Sequence, residues 1–377
     1  MPIEFRKLLV YNLPFIKGIG ILGVILIHTT SEFSMMTDFG WLFHILIFLN
    51  NLARFAVPLF IILSGFYLSL NPRNEKAIPF YRRTIKFLLV PFFLYSLFYS
   101  ILNLRAGTNI WQVVLDIPLA SAAGHLWFGL LILQLYLLHP VLRRWYLSCK
   151  YPGKLVLISF AFQIIWHVLT ITVLPKILSD FSMILFSNSD ILARNYNDII
   201  LRITKLLFFG NIGYFLLGYY IHDQSKSIFE FIKKPGVFFL ALLTWLSTAT
   251  FLAGYWGNQL FKGVKWNEIE NRDIFHYFLI PFLSIAALIT ILCSFKNDKK
   301  SIDYKNLKIQ SLGLYSYGIY YLHIFFIMIF NAGFRYFINP YPLDMVSYYF
   351  LQFILVSFIT LQTVKILART KFGRYLT

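Results

Sequence analysis

The chain has 377 residues, of which 58% are hydrophobic and only 13% are charged. A soluble domain usually carries about 25% charged residues, so this composition excludes an ordinary soluble fold. The net charge of +18 is not by itself evidence for nucleic-acid binding, because in a membrane protein the placement of Lys and Arg decides its meaning. We predict an all-α polytopic membrane protein with the lipid bilayer, and no nucleic acid, as its surroundings.

Hydrophobic stretches of about 20 residues, the length that crosses a bilayer as a helix, define the predicted elements. Ten such stretches lie near residues 14–34, 50–70, 84–104, 124–145, 153–175, 201–222, 235–256, 274–295, 309–333 and 344–366. Most Lys and Arg residues then fall on one side, so the positive-inside rule predicts a cytoplasmic N-terminus and C-terminus. We expect a single transmembrane domain over residues 1–377 in a cell membrane, and the charge pattern favours a bacterial inner membrane.

The first span contains the sequence KGIGILGVILIHTTSE, residues 17–32. Its GIGILG segment formally matches the dinucleotide-binding fingerprint, but that fingerprint requires a preceding strand and a βαβ unit. Neither is predicted here. Gly18, Gly20 and Gly23 are instead expected to allow close helix packing within the membrane.

Lys17 and His28 are predicted to lie on one face of this first helix. Eleven residues at about 100° each leave an offset of about 20°, and the rise separates the two positions by about 16 Å. Such a face could serve a long ligand whose anionic end stays at Lys17, although Lys17 could also snorkel to lipid headgroups. His28 is a candidate catalytic base because intramembrane ionisable groups are by default functional candidates; a structural hydrogen bond is its alternative.

Glu32 follows His28 by four residues, the spacing at which helical side chains meet. Its carboxylate could accept the imidazole N–H and fix the tautomer, as the aspartate does in a catalytic triad. The alternative is an exposed carboxylate at the outer end of the helix. We therefore include Glu32 with His28 as a candidate catalytic residue.

The second span contains a buried cation and a possible break. Arg54 precedes Pro58 by one turn and needs an anionic or carbonyl partner at that depth. Pro58, Ser64 and Gly65 favour a kink or room for a thin chain. We assign Arg54, Ser64 and Gly65 to a candidate channel or acceptor site.

The third span begins with a cluster of basic residues at its predicted inner end: Arg82, Arg83 and Lys86. Arginine binds phosphate through two parallel hydrogen bonds, and lysine binds it as a point charge. This cluster is a candidate phosphate-binding site, and the positive-inside signal is the alternative explanation.

Two later histidines complete the candidate channel or acceptor site. His125 and Trp127 stand at the outer start of the fourth span, where a tryptophan is typical of the membrane interface. His323 lies in the middle of the ninth span, with a structural hydrogen bond as its alternative role. Only two cysteines are present, which leaves no Cys-rich metal site or disulfide framework; we predict no metal and no tightly bound cofactor.

These motifs, in this order, resemble the acyltransferase 3 family of integral-membrane acyltransferases, and the resemblance covers nearly the whole chain. The segment FIKGIGILGVILIH is similar to the family's first helix, VPLFIILSGF to its second span and RRTIKFLLVP to its basic third-helix start. HLWFGLLILQLYLLHPVL, FGNIGYFLLGYYI and YGIYYLH resemble its fourth, sixth and ninth spans.

The resemblance implies an O-acyltransferase that takes an acyl group, usually acetyl, from cytoplasmic acyl-CoA. The acceptor would be a hydroxyl of a cell-surface or exported carbohydrate. His28 matches the family's essential histidine, as general base or transient acyl carrier, and Lys17 stands where the family has arginine. Arg83 and Lys86 match the basic pair associated with the CoA phosphates, and Arg82 lies beside them.

Two functions other than acyl transfer also fit the sequence. A transporter or flippase for a polysaccharide or a lipid-linked sugar would also use many spans with buried charges, and it predicts broken helices in matching positions of two halves. The sequence shows no paired interruptions. A subunit of a polysaccharide export assembly is the other reading.

Overall fold

The computed structural model describes residues 3–31, 34, 40–70, 77–105, 110–185, 190–265, 269, 274–295, 308–337, 346–371 and 373–376. Within these ranges the protein is almost entirely helical and contains no strand. Eight helical segments are long and apolar enough to cross a membrane, and a ninth results if Ile199–Leu206 and Phe208–Asp223, which are bent by 41°, form one span. The protein is thus a multi-pass helical membrane protein, as predicted, with a count close to the expected ten. The orientation of the termini stays a prediction.

Seventeen α-helices are numbered here in chain order over the described residues. They are α1 (Ile3–Thr30), α2 (Trp41–Ala53), α3 (Ala56–Ser69), α4 (Ala77–Thr84), α5 (Val90–Arg105), α6 (Ile110–Asp116), α7 (Trp127–Ser148), α8 (Pro152–Val168), α9 (Leu174–Leu185), α10 (Asp190–Leu206), α11 (Ile212–Asp223), α12 (Ser225–Lys233), α13 (Val237–Phe261), α14 (Ile274–Ser294), α15 (Lys308–Leu314), α16 (Ser316–Phe337) and α17 (Val346–Leu367). Short π-helical turns at Ile85–Leu89 and Leu169–Val173 continue α4 and α8, and 3-10 turns occupy Phe208–Asn211 and Gly373–Tyr375.

The predicted second span is longer than expected and is interrupted. Its helix begins at Trp41, and the helical segment Trp41–Ser69 is broken between α2 and α3 at Arg54 and Phe55. Pro58 explains the position of the break, because proline lacks the N–H that would bond to the carbonyl four residues earlier, and its ring clashes with that carbonyl. That carbonyl belongs to Arg54, so the break places this half-buried cation at an irregular point of the span.

The predicted fourth span forms a helix that is less apolar than the others. α7 has 22 residues and is long enough to cross a bilayer. It is absent from the eight qualifying segments among the described residues. The physical reason is that α7 carries Gln134, His139, Arg143 and Arg144 in addition to its leucines.

The chain divides into two compact units. The first unit consists of Met1–Phe60, Asp223–Glu270 and Phe278–Thr377. In it, α1 contacts α2, α12, α15, α16 and α17, while α13 packs on α2 and α16 packs on α17. One core cluster is formed by Leu42, Phe43, Leu46, Ile47, Ala253, Trp256, Ile269, Tyr348 and Tyr349.

Glycines allow the close helix approaches in the first unit. A Cβ atom on Gly18 would collide with the carbonyl oxygen of Ile309 in α15, and one on Gly313 would collide with the carbonyl of Pro14. A Cβ atom on Gly23 would lie 3.0 Å from the Cβ of Ala56. The predicted helix-packing role of the glycines in the first span is therefore confirmed.

The second unit consists of Ile61–His222 and Asn271–Tyr277. In it, α4 contacts α7, and α9 packs on α10. The second half of α3 crosses α11 at two glycines: a Cβ on Gly65 would collide with the carbonyl of Phe215, and a Cβ on Gly218 would collide with the carbonyl of Ile62. Backbone contact at this crossing holds the end of α3 against α11.

Candidate functional site

Two histidines from distant parts of the chain lie side by side in the first unit. The ring centroids of His28 in α1 and His323 in α16 are 5.1 Å apart, with the planes inclined by 47°. His323 is fully buried, and His28 is half-buried. The sequence predicted both residues as functional candidates in separate roles, and the structure brings them together.

The orientation of His323 is set by the backbone of its own helix. Its Nδ1 lies 2.7 Å from the carbonyl oxygen of Tyr320 and 3.2 Å from that of Ile319. Carbonyl oxygens only accept hydrogen bonds, so Nδ1 must carry the proton, and Nε2 of the neutral ring is then an acceptor. His323 thus makes the structural hydrogen bond considered as its alternative role, and it also contacts His28.

Arg54 is the third ionisable group of this site. Its Nε and one Nη donate to the amide oxygen of Asn50 over 3.2 and 3.1 Å, and its guanidinium carbon lies 4.3 Å from the centre of the Trp256 ring. The expectation of an anionic or carbonyl partner is confirmed by the Asn50 amide oxygen. Arg54 itself is half-buried and not deeply buried as predicted. The charge of Arg54 is close enough to interact electrostatically with His28.

Asn50 connects Arg54 to the helix turn that carries His28. Its amide nitrogen donates to the carbonyl oxygen of Ile27 over 2.8 Å and to the hydroxyl of Thr30 over 3.1 Å. The side chain of Asn50 is fully buried, so these bonds replace water around its amide group. Asn50 was not predicted as a site residue, although residues four apart on a helix lie on one face and Asn50 precedes Arg54 by four.

The arrangement around His28 is suited to proton transfer beside a developing negative charge. A neutral imidazole can accept a proton from a hydroxyl. A guanidinium held in place inside a region of low dielectric can stabilise an oxyanion much more than it would in water. Glu32, the other predicted catalytic residue, lies outside the described residues, and its role stays a prediction.

The predicted phosphate-binding residues of the third span lie in the second unit. Arg82, Arg83 and Lys86 are all exposed, with Arg83 5.8 Å from the centre of the Phe80 ring. Lys86 lies in the π-helical turn that follows α4, 5.7 Å from the ring of Phe87. Exposed cations at a helix end are able to bind an anion from solution.

Ser64 and Gly65, at the end of α3, have contacts within the second unit. Ser64 is hydrogen-bonded to the hydroxyl of Tyr136, and Tyr136 lies within electrostatic range of Arg83. Gly65 is buried and takes part in the crossing with Phe215 described above. Their assignment to a channel stays a prediction.

The remaining predicted residues are His125, Trp127 and Lys17. His125 is buried, and its ring meets Tyr99 edge-on at 5.3 Å. Trp127 is half-buried and contacts Phe128 edge-on. In the first unit, Lys17 is half-buried and directly precedes Gly18, where α15 crosses α1.

A polar cluster on α7 was not predicted as a site. His139 Nδ1 lies 2.6 Å from the Tyr219 hydroxyl, and Arg143 lies over the rings of Tyr146 and Tyr219 at 5.2 and 5.0 Å. Arg143 is one of the Lys and Arg residues on the predicted inner side, and it was not predicted as part of a site. His139 and Arg143 are four residues apart on one helix, which was the available signal.

The described ranges contain no group of three or more His, Cys, Asp or Glu side chains placed to hold a metal ion.

Taken together, the helices and the His28–His323 pair define a multi-pass membrane protein with ionisable groups inside its spans. A family model described as "Acyltransferase domain" matches residues 10–361. Since that match covers most of the chain, the protein belongs to this family of acyltransferase domains.

Curated relatives come from Staphylococcus aureus and carry the name "Probable poly-beta-1,6-N-acetyl-D-glucosamine export protein". The protein of strain MRSA252 is 26% identical over 251 residues, which cover 65% of this chain and 62% of the relative. The protein of strain MSSA476 is 25% identical over the same length and coverage. The chain thus spans less than two thirds of the length of these relatives. No solved structure matches the chain.

Proposed function

We propose that the protein is a membrane-bound O-acyltransferase that moves an acetyl or similar short acyl group from acyl-CoA to a carbohydrate hydroxyl. The observation that carries this proposal is the contact of His28 with His323, together with the hydrogen bonds of Asn50 that link Arg54 to the helix turn of His28. Membership of the acyltransferase family supports the same reaction class. Acetyl-CoA is proposed as the donor substrate, with no tightly bound cofactor.

In a direct transfer, His28 acts as the general base. It takes the proton of the acceptor hydroxyl while the hydroxyl oxygen forms a bond to the thioester carbonyl carbon, which gives a tetrahedral oxyanion. Arg54 is proposed to stabilise this oxyanion. The C–S bond then breaks, and the departing CoA thiolate takes the proton back from His28. General-base catalysis of this kind contributes about 10² to 10⁴ in rate.

In a two-step transfer, a nitrogen of His28 attacks the thioester and carries the acyl group. The CoA thiolate leaves in this first step, and the acceptor hydroxyl attacks the acyl-imidazole in the second. His28 regains its neutral form when the ester is made, and the hydroxyl proton passes to water, so that the products are the ester, the CoA thiolate and one proton. Both routes use the same residue, and both balance without a metal or a redox partner.

The donor phosphates are assigned to basic residues predicted at the inner ends of the spans. Arg82, Arg83 and Lys86 are exposed, and Arg83 and Lys86 match the family's basic pair. Lys17 is proposed for the same purpose in place of the family's arginine, with the charge kept and the bidentate fork lost.

The name of the staphylococcal relatives favours a carbohydrate acceptor and also favours a second candidate function. Those relatives are named for the export of poly-beta-1,6-N-acetyl-D-glucosamine, so an export subunit or transporter for a polysaccharide is the alternative proposal. The two functions differ in a measurable product, because only the acyltransferase releases CoA from acetyl-CoA.

The test is incubation of the purified full-length protein, in lipid nanodiscs, with radiolabelled acetyl-CoA and a panel of oligosaccharides. We expect CoA release and acetyl-sugar formation by the native protein and neither by His28→Ala. His44→Ala is the matched control, because His44 is an exposed histidine of α2 in the same unit. Near-normal turnover by His28→Ala rejects the proposed mechanism. Absence of CoA release, together with oligosaccharide movement across proteoliposomes, favours the export function.

A further inference from the structure

The cluster of Arg143, His139 and Tyr219 in the second unit is not used by the mechanism proposed above. We propose that Arg143, held by Tyr146 and Tyr219, binds a phosphate of the nucleotide end of the acyl-CoA donor, and that His139 and Tyr219 position it. This inference rests on the proposed function, because it names a further part of the donor-binding site.

Two adjacent arginines of α7, Arg143 and Arg144, differ in how far they are buried. Arg144 is exposed, as expected of a residue that only contributes to the positive-inside charge. Arg143 is half-buried and lies over two tyrosine rings, at 5.2 Å from Tyr146 and 5.0 Å from Tyr219. Both tyrosines are almost fully buried, so Arg143 stands on a rigid aromatic surface.

That surface suits phosphate recognition. A cation–π contact uses the face of the guanidinium, whereas hydrogen bonds to phosphate use N–H groups in its plane. The two interactions are therefore compatible in one arginine. A guanidinium already held in place loses less side-chain entropy when it binds an anion.

A hydrogen bond between His139 and Tyr219 holds this aromatic surface in place. Tyr219 Oη lies 2.6 Å from Nδ1 of His139, one helical turn before Arg143. The charge of Arg143 acts electrostatically on both His139 and Tyr219. The bond joins α7 to α11, so Arg143 and the aromatic ring beneath it are held by two helices.

The cluster is connected to Arg83, one of the predicted phosphate-binding residues of the same unit. His139 contacts the ring of Phe80 at 5.5 Å between centroids, and Phe80 also lies 5.8 Å from the guanidinium carbon of Arg83. Phe80 thus connects the α7 cluster to α4. These residues lie in the halves of α4, α7 and α11 that are predicted to face the cytoplasm, where acyl-CoA is available.

Phosphate groups near a membrane also occur in lipid headgroups. The donor is favoured because Phe80 connects the cluster to Arg83, which the family resemblance associates with the CoA phosphates, and because two arginines connected through one phenylalanine match a ligand with several phosphates. The experiment separates the two sources.

The experiment measures the affinity of CoA for the full-length protein in nanodiscs of neutral phosphatidylcholine by titration calorimetry. We expect Arg143→Gln to weaken CoA binding about tenfold or more, as loss of a charge-assisted hydrogen bond does, while Arg144→Gln changes it less than about twofold. Arg143→Lys should fall between them, because it keeps the charge and loses the fork. Tyr219→Phe should weaken CoA binding, and Tyr220→Phe should not.

A second readout uses S-acetyl-pantetheine, a donor that lacks the nucleotide and its phosphates. Arg143→Gln should reduce turnover with acetyl-CoA through KM and leave turnover with acetyl-pantetheine at the native rate. Equal losses with both donors would show a structural role and overturn the inference, as would unchanged CoA affinity in a folded Arg143→Gln protein.

The lipid source is tested in nanodiscs that contain phosphatidylglycerol. If Arg143→Gln abolishes stabilisation by this anionic lipid and leaves CoA affinity unchanged, the site is a lipid site and the inference is wrong. The same titrations separate failure of the proposed function from failure of this inference. If the native protein binds no CoA, both proposals are wrong. If the native protein binds CoA and Arg143→Gln binds it equally well, only this inference is wrong.

Discussion

The imidazoles of His28 and His323 lie 5.1 Å apart between ring centroids, and His323 is oriented by hydrogen bonds from its Nδ1 to carbonyls of its own helix. The pair consists of one ring fixed by the backbone and one half-buried ring next to it. A fixed acceptor nitrogen beside a catalytic base can hold that base in one orientation. This relationship leads directly to the first prediction.

His323 is predicted to position His28 through Nε2. The amide oxygen of glutamine can reach the position of Nε2 and accept a hydrogen bond there, whereas the shorter asparagine reaches only the position of Nδ1, so His323→Gln should retain more activity than His323→Asn. Misplacement of a catalytic group costs up to about 10²-fold in rate, and we expect a loss of that order for His323→Asn. The measurement is kcat and the pH profile of kcat/KM for both variants. Equal loss in the two, with equal loss of thermal stability, would contradict a positioning role.

Arg54 is predicted to act on the reacting oxygen. Arg54→Gln should lower kcat by about 10² to 10³, the usual cost of losing one oxyanion donor, with a smaller effect on KM. Arg54→Lys keeps the charge and should recover part of the rate. Initial rates with acetyl-CoA in nanodiscs measure both effects.

The control for Arg54 is Trp256→Phe, which keeps an aromatic face under the guanidinium and removes only part of the ring. It should leave kcat within a few-fold of the native value. A rate loss in Trp256→Phe as large as that in Arg54→Gln would indicate that packing, rather than the charge of Arg54, is responsible.

Lys17 and Arg83 are predicted to bind the donor. Lys17→Glu or Arg83→Glu should weaken CoA binding more than acceptor binding, because each places a negative charge near the donor phosphates. Lys17→Arg should bind CoA at least as well as the native protein, since it restores the fork. Separate titrations with CoA and with oligosaccharide provide the comparison, and equal weakening of the two ligands argues against a phosphate role.

The crossing of α1 and α15 is predicted to be intolerant of side chains. Gly313→Ala would put a Cβ against the carbonyl of Pro14, a backbone atom that cannot move aside. We expect a destabilisation of about 1 to 3 kcal/mol, the usual cost of overpacking. Thermal unfolding in detergent, followed by retention on size exclusion, measures the change.

Gly254→Ala is the matched control for that variant. Gly254 lies inside α13 in the same unit, and a Cβ there would meet no atom within 4 Å. Since alanine is a better helix former than glycine, this variant should be as stable as the native protein or slightly more stable. If both variants unfold at the same temperature, the close approach at Gly313 is not a determinant of stability.

Several features of the fold could be predicted from the sequence because they depend on local composition. Apolar stretches of about 20 residues require a membrane, so the helical class and most spans were predictable. The glycines of the first span and the break caused by Pro58 also follow from the properties of single residues. The start of the second span at Trp41 was missed, because the predicted span of about 20 residues began near residue 50 and the helical segment has 29 residues.

The contacts of the candidate site were decided by the tertiary structure. Apolar residues surround these spans on every side, so hydrophobic periodicity does not indicate how each helix is rotated or which neighbour it faces. The sequence therefore identified His28, His323 and Arg54 as separate candidates, and only the packing of α1, α2, α13 and α16 placed the two histidines together and Arg54 over Trp256. The same is true of Arg143, which the sequence treated as a topology signal and which the fold places on Tyr219 of α11. Local chemistry thus determined which side chains are able to act, and long-range helix packing determined which of them can act together.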